Sequence, residues 1–270
     1  MAAELTAEVI PVKRSKFVWG LLDSWVLVRR SATHIIRSPD QLLAAVFQPI
    51  MFLVLFRYVF GGSIDTGGTS YVNYLIAGIL VQTAAFGATT TAVGVANDLQ
   101  RGIIDRFRSL PMLSSAVLTG HVVSDLARNF ISTVIMVLVA LLVDFRPTAS
   151  FIDWLGVFGI MMLFTLALSW ASAVLGLLAR SVEAVQWMTF IVIFPLTFAS
   201  SAFAPTNNMV APLRWFAENQ PVTLIVDTVR SLLVGTPNGN KGLYAVLWCL
   251  GILVVSFIAA SRLFACKASK

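Results

Sequence analysis

The chain has 270 residues, of which 58% are hydrophobic and only 12% charged, with a formal net charge of +6. About 45–50% apolar and about 25% charged residues are usual in a soluble domain. A soluble fold of this size has too little interior to hide so much apolar surface, and a bilayer is its natural solvent. That excludes a soluble enzyme of ordinary composition, a disordered chain and a disulfide scaffold. Two cysteines, Cys249 and Cys266, form neither a disulfide framework nor a metal-ligand spacing, so no metal site is expected.

Residues 1–40 read as a cytoplasmic N-terminal segment. No secretory signal peptide is visible, because Lys13, Arg14, Lys16, Asp23, Arg29, Arg30 and Arg37 interrupt it. Over 17–37, Phe17, Leu21, Leu22, Trp25, Val28, Ile35 and Ile36 fall on one helical face, and Asp23, Arg30, His34 and Arg37 on the other. This is an amphipathic helix, lying in the membrane interface or packed on its own protein. Ser38-Pro39-Asp40 marks a turn after it.

Residues 41–270 read as an all-α membrane domain of six transmembrane helices. A spanning helix needs about 20 mostly apolar residues. Six stretches qualify: Leu42–Phe60, Tyr74–Ala96, Asn129–Phe145, Trp154–Leu178, Trp187–Phe203 and Leu243–Phe264, the third with a start as early as Val122. The runs are continuous rather than alternating, so a β-barrel is excluded. With six spans both termini share one side, and that side carries 14 of the 19 Lys and Arg residues. The positive-inside rule makes it the cytoplasm. The basic balance is thus a topology signal, and with no recognition module no nucleic-acid partner is expected.

Two loops carry more than a turn. In the cytoplasmic loop 97–120, charges alternate with Leu99, Ile103, Ile104, Phe107 and Leu110 at helical spacing, punctuated by Gly102 and Pro111. This is a short amphipathic helix, either docked on a partner or lying in the interface. In the extracellular loop 204–242, turn signals at Asn207-Asn208, Pro212, Asn219-Gln220-Pro221 and 235–240 flank two short helices, Leu213–Phe216 and Thr223–Leu233. Asp227 and Arg230 stand at i,i+3, an ordinary surface pair unless buried.

The absences are informative. No G-x-x-x-x-G-K-[ST] occurs, so ATP-driven work needs an ATPase on another chain. No carboxylate is expected near a span midpoint, which weighs against an ion-coupled secondary carrier, and Arg57 near the outer end of the first span is placed to snorkel. An intramembrane hydrolase lacks its base, since His34 and His121 both sit at the cytoplasmic edge. The second span gathers Gly78, Gln82, Ala85, Thr89 and Ala96 on one face, and the fifth gathers Gln186, Thr189, Thr197 and Ser200, with Pro195 as a kink. Such faces pack membrane helices together, or they line a cavity to which Phe86, Trp187, Phe190, Phe194 and Phe198 add aromatic surface.

The whole pattern resembles the permease subunit of type-2 ABC exporters of the daunorubicin-resistance kind. The resemblance rests on the N-terminal helix, the six spans and two motifs: Arg101-Gly102-Ile103-Ile104-Asp105-Arg106-Phe107-Arg108-Ser109-Leu110-Pro111-Met112, and Asn219-Gln220-Pro221-Val222 followed by Asp227-Thr228-Val229-Arg230. It implies that 97–113 is a coupling helix on a nucleotide-binding subunit, acting through Asp98, Arg101, Gly102, Ile104, Asp105, Arg106, Phe107, Arg108, Leu110 and Pro111. It implies a second permease copy, alike or related, meeting this one along spans one, two and five. ATP and Mg would belong to the partner ATPase, with no cofactor in this chain. The expected cargo is a hydrophobic or amphipathic drug or lipid moved out through the inner membrane of a bacterium, with a polysaccharide or glycolipid exporter as the alternative. Gln82, Phe86, Thr89, Gln186, Thr189, Phe190, Thr197, Phe198 and Ser200 are the expected substrate-path or dimer-interface residues.

Overall fold

A computed structural model describes residues 39–61, 64, 70–102, 115–179 and 181–268. The amphipathic helix expected over 17–37 lies outside the described residues. So do Ile104, Asp105, Arg106, Phe107, Arg108, Leu110 and Pro111 of the expected coupling helix.

The described residues are helical, with no strand among them. Helix α1 (Pro39–Leu55) opens on a proline, whose missing N–H is no loss in a first turn. It runs past Pro49 into a π-helical turn, Phe56–Phe60. Then come α2 (Tyr71–Gly87), α3 (Thr89–Gln100), α4 (Ser115–Leu142), α5 (Phe151–Leu178) and α6 (Val182–Phe198). Two short helices, α7 (Ala211–Asn219) and α8 (Pro221–Val234), precede α9 (Lys241–Ala268). Local chemistry sets the ends. Ser150 and Asp153 form a reciprocal capping box at the start of α5. Gly235, at φ 73°, closes α8 in the left-handed conformation that glycine adopts without strain.

Among the described residues, four stretches are long and apolar enough to cross a membrane: Tyr71–Gln100, Leu118–Leu142, Phe151–Leu178 and Lys241–Phe264. Val46–Phe60 and Val182–Phe198 are shorter apolar helices. At 1.5 Å per residue, the 17 residues of α6 extend about 25 Å, short of a hydrocarbon core of about 30 Å. The apolar helices make this an integral membrane protein.

The second span runs as one apolar stretch, Tyr71–Gln100, with a single irregular turn at Ala88, whose backbone stays right-handed helical (φ −61°, ψ −20°) between α2 and α3. The helix of the third span extends upstream of Asn129 and Val122, with Ser115 its first described residue, and it carries the Asp125–Arg128 ion pair within it.

Helix α2 is central: Leu75, Ile76, Ile79 and Leu80 are almost fully shielded. It packs on α1, α4 and α8, while α3 lies against α5 and α6, and α9 lies along α5. The outer face of α9 is open, with Leu247, Val254 and Val255 exposed, as suits a helix facing lipid. Lipid tails are as apolar as side chains, so helices associate here by close packing and hydrogen bonds rather than by the hydrophobic effect. Small residues permit it. A Cβ on Gly78 would collide with the Ala202 carbonyl, and one on Gly176 would lie 2.5 Å from the Ala92 oxygen.

Candidate functional site

Three groups of functional side chains stand out among the described residues. The first lies where α8 meets α2 and the end of α6. Asn219 donates to the Trp215 carbonyl at 2.8 Å and caps α7. Gln220 donates from Nε2 to the carbonyls of Leu196 (2.8 Å) and Ala199 (2.6 Å), serving acceptors that the end of α6 leaves unpaired. Pro221 then opens α8. Each residue of this triplet thus caps or starts a helix.

Nine residues on, Arg230 is 7% exposed and uses its whole guanidinium. Nε donates to the Tyr74 carbonyl at 3.1 Å, Nη2 to the Ser201 carbonyl at 2.7 Å and Nη1 to Asp227 Oδ1 at 2.8 Å. Its Cζ sits 3.7 Å from the centre of the Tyr74 ring, a cation–π contact. Asp227 also accepts from Ser201 Oγ and from Lys241 Nζ, each at 2.7 Å. The i,i+3 pair is therefore a buried clamp joining α2, α8, α9 and the segment after α6, not a surface pair.

The second group is aromatic. Phe190, Phe194 and Phe198 recur every four residues on α6 with successive ring centroids 5.0 and 4.3 Å apart. The stack continues to Phe203 at 5.0 Å, Phe56 at 4.7 Å and Phe60 at 5.2 Å. At its other end Phe190 reaches Trp187 and Phe86 at 6.3 and 6.4 Å. Trp187, Phe190 and Phe194 are exposed on the surface of this chain.

The expected polar faces divide. Gln82, Thr189, Thr197 and Ser200 are buried within the chain, and Thr189 and Thr197 bond carbonyls of their own helix, Val185 at 2.8 Å and Ile193 at 2.9 Å. Phe86, Thr89 and Phe198 are half-buried, whereas Gln186 is exposed and turned away from the threonines it was grouped with. Of the expected coupling residues, Asp98, Arg101 and Gly102 close α3. Asp98 Oδ2 lies 2.8 Å from His121 Nε2, at the start of α4, so the two arms of the loop are tied at its base. Arg57 does not simply snorkel, since its Nη1 donates to the Val143 carbonyl after α4.

The third group holds a buried carboxylate that the sequence reading did not single out, toward one end of its span rather than at the midpoint. Asp125, within α4, is 1% exposed. It accepts from Arg128, from Ser169 of α5 and from Asn129 Nδ2, the last at 3.1 Å. The charge is spent on an ion pair with further hydrogen bonds, as a buried carboxylate requires. Its sequence signal was the i,i+3 spacing of an acid and an arginine just before an apolar run.

Comparison with known proteins shows the family. The family model of the ABC-2 type transporter matches residues 23–234. The chain is 28% identical to the daunorubicin resistance ABC transporter permease protein DrrB1 of Streptomyces coeruleorubidus, covering 84% of this chain and 80% of that one. It is 26% identical to the putative transport permease ycf38 of Pyropia yezoensis, over 86% and 82% of the two chains. Identity to the probable doxorubicin resistance ABC transporter permease protein DrrC of Mycobacterium tuberculosis is 25%, over 84% and 82%. Permeases of this kind are transport subunits that work with an ATPase on a separate chain. The chain belongs to the ABC-2 type transporter family, as the transmembrane subunit of an ABC exporter.

Proposed function

We propose that this chain crosses the inner membrane of a bacterium six times with both termini in the cytoplasm. It pairs with a second permease copy and exports a hydrophobic or amphipathic molecule, a drug or a lipid, from the cytoplasm or inner leaflet. The observation that carries the substrate class is the stack of rings from Phe190 to Phe60, which runs through buried Phe203 and is exposed at Phe190, Phe194 and Phe60. Rings in offset contact offer flat, apolar, polarisable surface without fixed charge, which favours aromatic and lipid-like cargo over ions or sugars. Relatives named for daunorubicin and doxorubicin resistance support the same reading.

In this reading the second copy covers the aromatic surface of α1, α2 and α6, and the substrate passes between the two chains. Loop 97–120 rests on the ATPase, which holds ATP and Mg. The basic excess puts that loop on the cytoplasmic side. Asp105, Arg106 and Arg108, three of its five charged residues, provide the docking contacts. ATP binding draws the two ATPase subunits together and pushes the loops, and the permeases rock about their common face.

The test reverses each charge in the intact transporter: Asp105→Arg, Arg106→Glu and Arg108→Glu. Export per ATP hydrolysed is expected to fall by about tenfold, while membrane insertion is kept. Unchanged coupling in all three variants contradicts the docking role.

A further inference from the structure

An irregular turn at Ala88 in the second span lies beside the buried ion pair. There Thr91 N–H bonds the Ala88 carbonyl at 3.1 Å, the short i−3 spacing, while Ala92 N–H keeps the ordinary i−4 bond to the same carbonyl at 3.4 Å. The Gly87 carbonyl takes the Thr90 hydroxyl at 2.8 Å and Arg128 Nη2 at 3.3 Å. Arg128 also donates to Thr90 Oγ1 and to Asp125. A Cβ on Gly87 would stand 2.6 Å from Asn129 Oδ1, so the glycine lets α4 press directly on the backbone at this turn.

Seven residues along, the same pattern returns. A Cβ on Gly94 would lie 2.8 Å from His121 Nδ1, and His121 reaches on to Asp98. The stripe Gly87, Thr90, Gly94, Asp98 on one helix therefore faces His121, Asp125, Arg128, Asn129 on the other, at helical spacing on both. The two helices are the two arms of loop 97–120. Asp125 extends the tie to α5 through Ser169.

A membrane helix buries a carboxylate only at considerable cost, and packing alone would be served by apolar side chains. What the ion pair adds is a directional lock on one point of the backbone, the Gly87 carbonyl.

We propose that Asp125, Arg128 and Asn129 are positioning residues that fasten α3 to α4, making the two arms of loop 97–120 a single lever. This rests on loop 97–120 being the coupling element. A push on the loop moves α3 and α4 together. Helix α3 continues the same span as α2, so the motion reaches the last turn of α2, where Phe86 lies beside Phe190. The ion pair transmits and does not touch the cargo.

The experiment uses the intact permease–ATPase complex in proteoliposomes, in a chain whose Cys249 and Cys266 are first changed to alanine. In the first arm, Gly94→Cys is combined with His121→Cys, and export is compared before and after oxidative cross-linking. A lever with fixed arms keeps export within about twofold when the arms are bonded, as expected for little change in coupling free energy. Arrest of export by the cross-link, with ATP hydrolysis continuing, would overturn the proposal, because it would mean that α3 and α4 slide on one another.

In the second arm, Asp125→Asn and Arg128→Gln are expected to lower export per ATP by about tenfold while leaving ATP hydrolysis within about twofold. Full coupling in Asp125→Asn would overturn the proposal as well. If Asp125→Asn does not assemble, Arg128→Lys serves, since it keeps the charge but cannot bond Gly87 and Asp125 together. Charge reversal at Arg106 tests the coupling role of the loop by itself, so the lever and the loop reading fail separately.

Discussion

Arg230 shows how much one side chain holds. It bonds backbone carbonyls at Tyr74 and Ser201, pairs with Asp227 and covers the Tyr74 ring. Removing one partner of a buried pair strands the other, which costs about 3–5 kcal/mol. Arg230→Ala is therefore expected to lower the thermal stability of the purified permease sharply. Arg230→Lys should recover little, since an ammonium cannot reproduce three divergent bonds at fixed angles. A melting temperature within a degree or two of the parent in Arg230→Ala would contradict the clamp. The spacing of Asp227 and Arg230 was legible in the sequence, but the burial was not. The other acceptors are carbonyls 156 and 29 residues away, and a carbonyl leaves no mark on side-chain identity. Asp125 escaped for a related reason, since a charge next to an apolar run reads as the end of a span until its partners are known.

At the scale of the helix, hydrophobic runs announced most of the elements. The turn signals around Pro212, Pro221 and 235–240 located α7 and α8 to within a few residues. The irregular turn at Ala88 gave no such notice, since Ala-Thr-Thr-Thr is compatible with a regular helix and the Arg128 donor at the Gly87 carbonyl comes from α4. The aromatic stack was half legible. The four-residue recurrence of Phe190, Phe194 and Phe198 stands in the sequence, whereas Phe56 and Phe203 join only through the fold. Replacing Phe194 and Phe198 by leucine keeps the bulk and removes the rings. Each aromatic contact is worth about 0.5–1.5 kcal/mol, so export of a planar aromatic drug should fall by about threefold to tenfold. Export of an aliphatic amphiphile should be less affected. Equal transport of both cargoes by the double variant and the parent would remove the rings from the path.

Across the whole molecule, the scarcity of charge acquires a pattern. Two ion pairs, Asp125–Arg128 and Asp227–Arg230, are buried far apart in the chain, each joining the second span to another element. Asp98–His121 ties the base of the loop between α3 and α4. Asp125 lies toward one end of its span and is occupied by Arg128 and Ser169, and with family membership this speaks for ATP drive rather than ion coupling. The central claim is that the chain exports its cargo only with an ATPase. The direct measurement is transport of a fluorescent aromatic drug into inverted proteoliposomes holding the permease with its ATPase subunit. Uptake is expected to require ATP and Mg and to be stopped by vanadate. Uptake by the permease alone, driven by a proton or sodium gradient without ATP, would contradict that claim.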